Sequence, residues 1–331
     1  VSLLLALLAT LSCAGKYQLA AVPVPFSPPS LGVSWLSPDE LGDRLALSRW
    51  REGVGQPLVG NAESNKELPT VARLTVVSWN IALGAGDVAA LFRSLKSRDP
   101  STHIVLLLQE AFRRGDDVPL SPLNAGFARR IRGVEDREID ELAGELGLSF
   151  YYVPSMRNGP PALSDEDRGN AILSTLPLDA LSAIELPFEK QRRVALAASV
   201  RGLTRRGDRW TLRLANAHLD NTAGLRRVWI ASEYARMRQA RGLRDALAGD
   251  TSVVLGGDFN TWFGFSDGAY REILGAFPDT RVTDTRRTFL GVLRLDHLFF
   301  RLPDGWRAAF KRAESSFGSD HYPLIATIEI G

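Results

Sequence analysis

From Arg73 onward the chain is a succession of short apolar runs, each closed by polar residues, glycine or proline. The segments LTVVSWN, HIVLLLQE, RGNAILS, VALAASV, WTLRLANAHLD, SVVLGGDFN, LRLDHLFF and YPLIATIEI read as strands. Trp210–Leu214 alternates apolar and polar residues, the mark of a half-exposed strand. Ile104–Leu108 is apolar throughout, as a strand covered on both faces is. Apolar spacing and breakers predict helices over residues 86–98, 136–146, 224–248 and 267–276. Two sheets packed face to face, with helices outside, accommodate both kinds of strand.

The pattern ahead of Arg73 differs. VSLLLALLATLSCAGKYQLA holds an apolar run far too short to span a bilayer. It reads as the hydrophobic core of an export signal, although the basic residues that usually precede such a core are absent. Cys13 follows the run as in a bacterial lipoprotein cleavage site, with Thr10-Leu11-Ser12 departing from the usual triplet before the cysteine. Residues 1–25 are therefore expected to be an export leader, with Cys13 a candidate lipid tether. The protein would then be periplasmic, outer-membrane-tethered or secreted. AVPVPFSPPS is a proline-rich tether, and Ser37-Pro38-Asp39-Glu40 reads as a helix start. That helix should end near Gly53-Val54-Gly55, with irregular chain to about Pro69. Residues 26–72 are thus read as tether plus short helix, and 73–331 as one domain without internal repeats.

Composition changes this picture little. The chain of 331 residues is 45% apolar and 24% charged, that of an ordinary globular protein. Its single cysteine excludes an intramolecular disulfide. A formal net charge of +2 does not by itself imply a polyanionic partner. The arginine pairs Arg129–Arg130, Arg205–Arg206 and Arg226–Arg227 suit solvated faces better than a phosphate-binding surface.

The chemistry lies where the strands stop. In VVLGGDFN the apolar run ends at Gly256 and Gly257, then presents Asp258 and Asn260 two residues apart, on one side of an extended chain. Leu212, Leu214, Asn216, His218 and Asp220 share a face that turns from apolar to polar, as do Leu74, Val76, Ser78 and Asn80. Ile104, Leu106 and Leu108 lead to Glu110; Asp296 interrupts an apolar strand; Asp320 and His321 precede the last one. A single polar strand end is an ordinary turn, but six make a poor core and a good site. Three of the four histidines fall within these tips. The oxygen donors suit a hard cation such as Mg²⁺, and neither a zinc-type His/Cys cluster nor a P-loop is present.

SWN, LLLQE, GNAILS, NAHLD, GGDFN, LDHLF and GSDHYPL, in this order, resemble the endonuclease/exonuclease/phosphatase (DNase I-like) superfamily from about Arg73 to Gly331. The resemblance implies a four-layer α/β sandwich of two mainly antiparallel sheets with outer helices. It implies metal-assisted phosphoester hydrolysis with Mg²⁺, or Mn²⁺ or Ca²⁺ in its place. Glu110 would ligate the metal with Asn80 beside it, binding metal or phosphate, and Asp320 near the metal side. Asp258 would orient or deprotonate the attacking water, with Asn260 across the phosphate. His321 would contact phosphate with Asp296 as its partner, and His218 would stabilise phosphate oxygen or help protonate the leaving group. Asn170 suits either a phosphate contact or a structural strand end. His297 should point away from the site, and His103 reads as structural. Trp262, Phe263 and Phe265 read as loop packing or as a substrate rim.

Leu255-Gly256-Gly257-Asp258 and Leu295-Asp296-His297 depart from the inositol-phosphatase pattern. A nuclease and a sphingomyelinase-like lipid phosphodiesterase both remain, as does a silent phosphate-binding module. A phosphoester in nucleic acid or a phospholipid headgroup is the expected partner, and the protein is expected to be a monomer.

Overall fold

The computed structural model describes residues 19–21, 32–62, 67–120, 127–128, 137–160, 162–221 and 228–331. Two sheets carry the structure. The first runs, edge to edge, β1 (Leu19–Ala21), β2 (Ser34–Pro38), β9 (Asp179–Glu185), β10 (Val194–Leu203), β11 (Arg209–His218), β12 (Val253–Asp258) and β13 (Asp296–Arg301). The second runs β14 (Arg307–Arg312), β15 (Leu324–Glu329), β4 (Arg73–Asn80), β5 (His103–Arg114), β8 (Glu166–Ser174), β7 (Ser149–Asn158) and β3 (Leu58–Gly60), with β6 (Phe127–Ala128) beside β7. Most neighbours are antiparallel; β2 with β9, β4 with β5, β6 with β7, and β11 with β12 are parallel.

Side-chain alternation builds three separate cores from these strands. Leu74, Val76, Val105 and Leu107 meet Leu196, Leu212, Leu214 and Val254 between the sheets. Val77, Trp79, Ile104, Leu106 and Leu108 face outward under α2 (Val88–Arg98) and α3 (Ile139–Leu146). Ala215, Ala217, Val253, Leu255 and Phe299 face outward under α4 (Val228–Ala246) and α5 (Gly268–Leu274). Three cores separate four layers, so the expected α/β sandwich is present. It also explains Ile104–Leu108: both faces of that strand are buried in apolar surroundings.

The described strands before Arg73 belong to the sandwich rather than lying outside it. β2 pairs with β9 and is flanked by β1 at the edge of its sheet, and β3 pairs with β7 at the edge of the other. Ser37 and Pro38 close β2 instead of opening a helix, and α1 (Leu41–Arg51) starts after Glu40. A buried cluster ties this segment down. The Glu185 carboxylate accepts hydrogen bonds from Ser37, Arg51 and Arg192, and Asp167 accepts from the Gly55 N–H at 2.9 Å. The remainder of the leader, including Cys13, lies outside the described residues, as do Arg129–Arg130 and Arg226–Arg227. Among the described residues no helix is long and apolar enough to cross a membrane.

Candidate active site

Strand direction gathers the polar tips at one end of the sandwich. β4 and β5 run parallel, as do β11 and β12, so Asn80, Glu110, His218 and Asp258 lie toward the same end. β13 and β15 are antiparallel to their neighbours, and so their starts, Asp296 and the preceding His321, arrive there too. The sheets approach closely beneath this end. A Cβ on Gly256 would stand 2.8 Å from the Ser78 Cβ of the opposite sheet, while one on Gly257 would stand 2.0 Å from the Ala217 carbonyl oxygen of the neighbouring strand in its own sheet. The glycines of the GGDFN segment are what this proximity requires.

Two of the hydrogen bonds that cross between the sheets lie in this cluster. Asn80 Nδ2 donates to Asp258 Oδ2 at 3.1 Å, and His321 Nδ1 lies 2.8 Å from Asp296 Oδ2. The other Asp258 oxygen accepts from the Asn260 N–H at 2.9 Å, which holds Asn260 at φ 50°, a left-handed conformation that asparagine tolerates. Asn260 Nδ2 donates to the Leu219 carbonyl at 3.0 Å. Nε2 of His218 and Nε2 of His321 stand 3.5 and 3.8 Å from Asp258 Oδ2. Among the described residues, His218 Nε2 is buried without a hydrogen-bond partner.

Glu110 reaches the site by a backbone irregularity. Ile104, Leu106 and Leu108 face the outer core, and regular alternation would send Glu110 to the same side. Instead the register with β8 shifts between Gln109 and Ala111, and Glu110 adopts φ 55°. This bulge redirects the carboxylate, which is partly exposed with Oε2 3.8 Å from Arg168 Nη1. Asp320 is exposed beside it. Loss of hydration raises the Asp320 carboxyl; His321 opposes this, and the Glu110 charge adds to it.

The buried groups are strongly perturbed. Burial raises the Asp258 carboxyl to about 6, aided by Asp296 and opposed by His321. Burial works against charge on His321, yet the Asp296 contact and the Asp258 charge carry it up to about 10. His218 is held well below the usual imidazole range, first by burial and then by Arg193 and Arg168. At neutral pH the site thus holds an imidazolium, a neutral imidazole and a carboxylate that burial makes more basic than usual.

Asp258, Asp296 and His321 offer ligand atoms within 4.8 Å of one another. The Asp296 oxygen and His321 nitrogen nearest each other are already spent on their mutual bond, so this trio is better built for proton handling than for a cation. Glu110, Asp320 and Asn80 form the alternative donor set. Two mutually repelling carboxylates and an amide oxygen, which takes one hydrogen bond from the Ala82 N–H at 3.0 Å, fit a hard divalent ion.

The other candidates are placed as follows. Asn170 is buried and donates to the Val194 carbonyl at 2.8 Å, fixing the start of β10. His297 packs on the outer side among Phe259, Phe265, Tyr270 and Phe299, with Nε2 2.7 Å from Thr261 Oγ1. His103 lies half-buried at the opposite end, against Thr175. Phe265 joins the His297 cluster, whereas Trp262 and Phe263 are exposed. Arg168 and Arg193 carry no signal in the strand-end pattern, yet both stand among the site's charges. The only sequence hint was two adjacent arginines just before a buried strand.

The chain from residue 77 to 321 matches the model of the Endonuclease/Exonuclease/phosphatase family. No curated protein matches it. Among solved structures, an endonuclease/exonuclease/phosphatase from Beutenbergia cavernae DSM 12333 is 18% identical with a TM-score of 0.54, over 78% of this chain and 72% of that one. A functionally unknown conserved protein from Enterococcus faecalis V583 is 15% identical with a TM-score of 0.51, over 78% of this chain and all of that one (100%). These two likenesses carry the fold, and the family match spans every strand end that converges on the site: the chain belongs to the endonuclease/exonuclease/phosphatase family.

Proposed function

We propose that the protein is a divalent-metal-dependent phosphodiester hydrolase that works by in-line attack of water on phosphorus. The observation behind this reading is the convergence across the sheet interface of Asp258, His218, His321 and Asn80, beside the separate oxygen donors Glu110 and Asp320. Glu110, Asp320 and Asn80 would hold Mg²⁺, with Mn²⁺ or Ca²⁺ suited to the same oxygens. When bound, the cation offsets the charge that grows on the phosphoryl oxygens.

The protein's own groups divide the remaining work. Asp258, gripped by the Asn80 amide and the Asn260 N–H, orients the attacking water and takes its proton at Oδ2. His321, charged and held by Asp296, turns Nε2–H toward a phosphoryl oxygen. His218 stays neutral, and its unpartnered Nε2 serves as a hydrogen-bond donor to phosphate or leaving group. A phospholipid headgroup is a second reading of the substrate, favoured by Trp262 and Phe263, which remain 38% and 45% exposed after the GGDFN tip. The reading also includes export and a lipid on Cys13. Membrane fractionation of the wild type against Cys13→Ser tests that part.

The central test is hydrolysis of bis-p-nitrophenyl phosphate by the full chain. Turnover should require Mg²⁺, stop with EDTA and vanish in His321→Ala. Turnover that ignores EDTA, or survives that substitution, overturns the proposal. Metal binding without any turnover would leave a phosphate-binding module.

A further inference from the structure

Arg192 and Arg193 stand side by side just before β10 but are partnered differently. Arg192 bonds Glu185 at 2.8 Å and the carbonyls of Pro154 and Ser155 at 2.9 and 3.0 Å. Arg193 is only 4% exposed, yet among the described residues Nη2 meets just the neutral oxygens of Gln191 and Asn221, at 3.1 and 3.4 Å. Among the described residues its Nε has no partner and no carboxylate pairs with it. The Asn170 bond to the Val194 carbonyl ties the residue next to Arg193 to the strand that carries Arg168, itself 3.8 Å from Glu110, and the charges that act on Arg193 are Asp220, Arg168, Glu110 and Asp258. Arg168 is nearly as buried. Among the described residues its ion-pair partner is Glu110 at 3.8 Å, through an oxygen that a metal would claim, and Nη2 meets Met156 Sδ at 3.6 Å.

A buried guanidinium with no direct ion pair is costly, and Arg193, beside an Arg168 held only by Glu110 at 3.8 Å, calls for negative charge from outside. One phosphodiester brings a single charge, which a cation on the oxygen donors and the His321 imidazolium would already meet. Guanidinium forks fit phosphate oxygens in pairs and repel a quaternary ammonium. We propose that Arg193 and Arg168 form a subsite for a second phosphate next to the scissile one, so that the preferred substrate is a nucleic-acid strand and not a zwitterionic phosphocholine lipid. This rests on the phosphoester-hydrolase reading. The Asn170 bond to Val194 fixes the backbone next to Arg193, and thereby aims the subsite.

The test compares the full chain with Arg193→Gln, Arg193→Lys and Arg168→Gln on bis-p-nitrophenyl phosphate, thymidine dinucleotides with and without a 5′-phosphate, and sphingomyelin vesicles. Wild type should prefer the phosphorylated dinucleotide, and the Gln variants should raise its KM about 10–100-fold, the range of a charged hydrogen bond, and collapse that preference. Arg193→Lys should restore part of it. Separately, inorganic pyrophosphate is titrated calorimetrically into the proteins in EDTA, with thermal melts to show that they are folded. Binding should weaken about tenfold or more in Arg193→Gln. Equal losses on all substrates, unchanged pyrophosphate affinity, or faster hydrolysis of the vesicles than of the dinucleotides overturns the subsite. Failure of wild type to hydrolyse any of them strikes the hydrolase reading instead, and the titration still decides whether the anion site exists.

Discussion

His321 Nδ1 and Asp296 Oδ2 are 2.8 Å apart, yet Asp296 opens β13 in one sheet while His321 precedes β15 in the other. The pair therefore exists only when the sandwich is closed. Its electrostatic consequence has a definite sign. His321 is raised from 6.5 to about 10 in the folded protein, so the stabilisation is fully present below pH 6.5 and lost as pH rises through 10. In Asp296→Asn the imidazole should titrate well below its wild-type value, read by NMR of the protein in EDTA. Its kcat should fall about 10²–10⁴-fold, the usual share of a positioned proton carrier. An imidazole that titrates as in wild type sinks the assignment.

Metal dependence should follow Glu110. Glu110→Gln keeps the side-chain shape and removes the charge that repels Asp320, so Mg²⁺ binding should weaken sharply. Activity at fixed Mg²⁺ should drop by about 10³-fold, several kcal/mol of charge stabilisation, and recover partly at high Mg²⁺. A calorimetric Mg²⁺ titration indistinguishable from wild type would exclude Glu110 as a ligand.

Gly256 should tolerate no side chain. In Gly256→Ala the new methyl would meet Ser78 Cβ at 2.8 Å and Leu107 Cδ1 at 2.9 Å across the sheet interface. Overpacking of this kind costs about 1–3 kcal/mol. It should also weaken the Asn80–Asp258 bond two residues further on, so kcat should fall along with the melting temperature. A variant as stable and as active as wild type contradicts the close approach.

Acid should loosen the edge of the first sheet. Burial opposes the Glu185 charge, but Arg192 and Arg51 hold its carboxyl below the ordinary 4.5. A depressed carboxyl contributes stability above 4.5 that is lost as pH falls through its folded value. Glu185→Gln leaves two guanidiniums short of an anion and should cost about 3–5 kcal/mol at pH 7. Thermal melts at pH 7 and pH 4 check this. The wild type should lose more on acidification than the variant does.

The sequence yielded the architecture wherever strands carried their own apolar signature, and all eight strand segments read from it lie in the two sheets. Others were hidden by local chemistry. β7 carries Pro154 at a register shift, which argues against a strand when read alone. β14 is an edge strand with Arg307, Lys311 and Arg312, charged as edges often are. The strand-end polar residues were legible because alternation persists to the tip in β4, β11 and β12. The aim of Glu110 was not, because a one-residue bulge reverses what alternation implies. Nor could the chain say which of Arg192 and Arg193 would find an acid, since Glu185 sits across a hairpin from both.

Every group of the proposed mechanism comes after Arg73, but strands β1, β2 and β3, and the Ser37 and Arg51 partners of Glu185, come before it. The shortest stretch that contains the chemistry is therefore shorter than the shortest stretch that can stand by itself. A protease cut between Gly60 and Arg73 would sever the chain without parting it: the two pieces would stay clasped by strand pairing and buried charge, and the nicked enzyme would go on working.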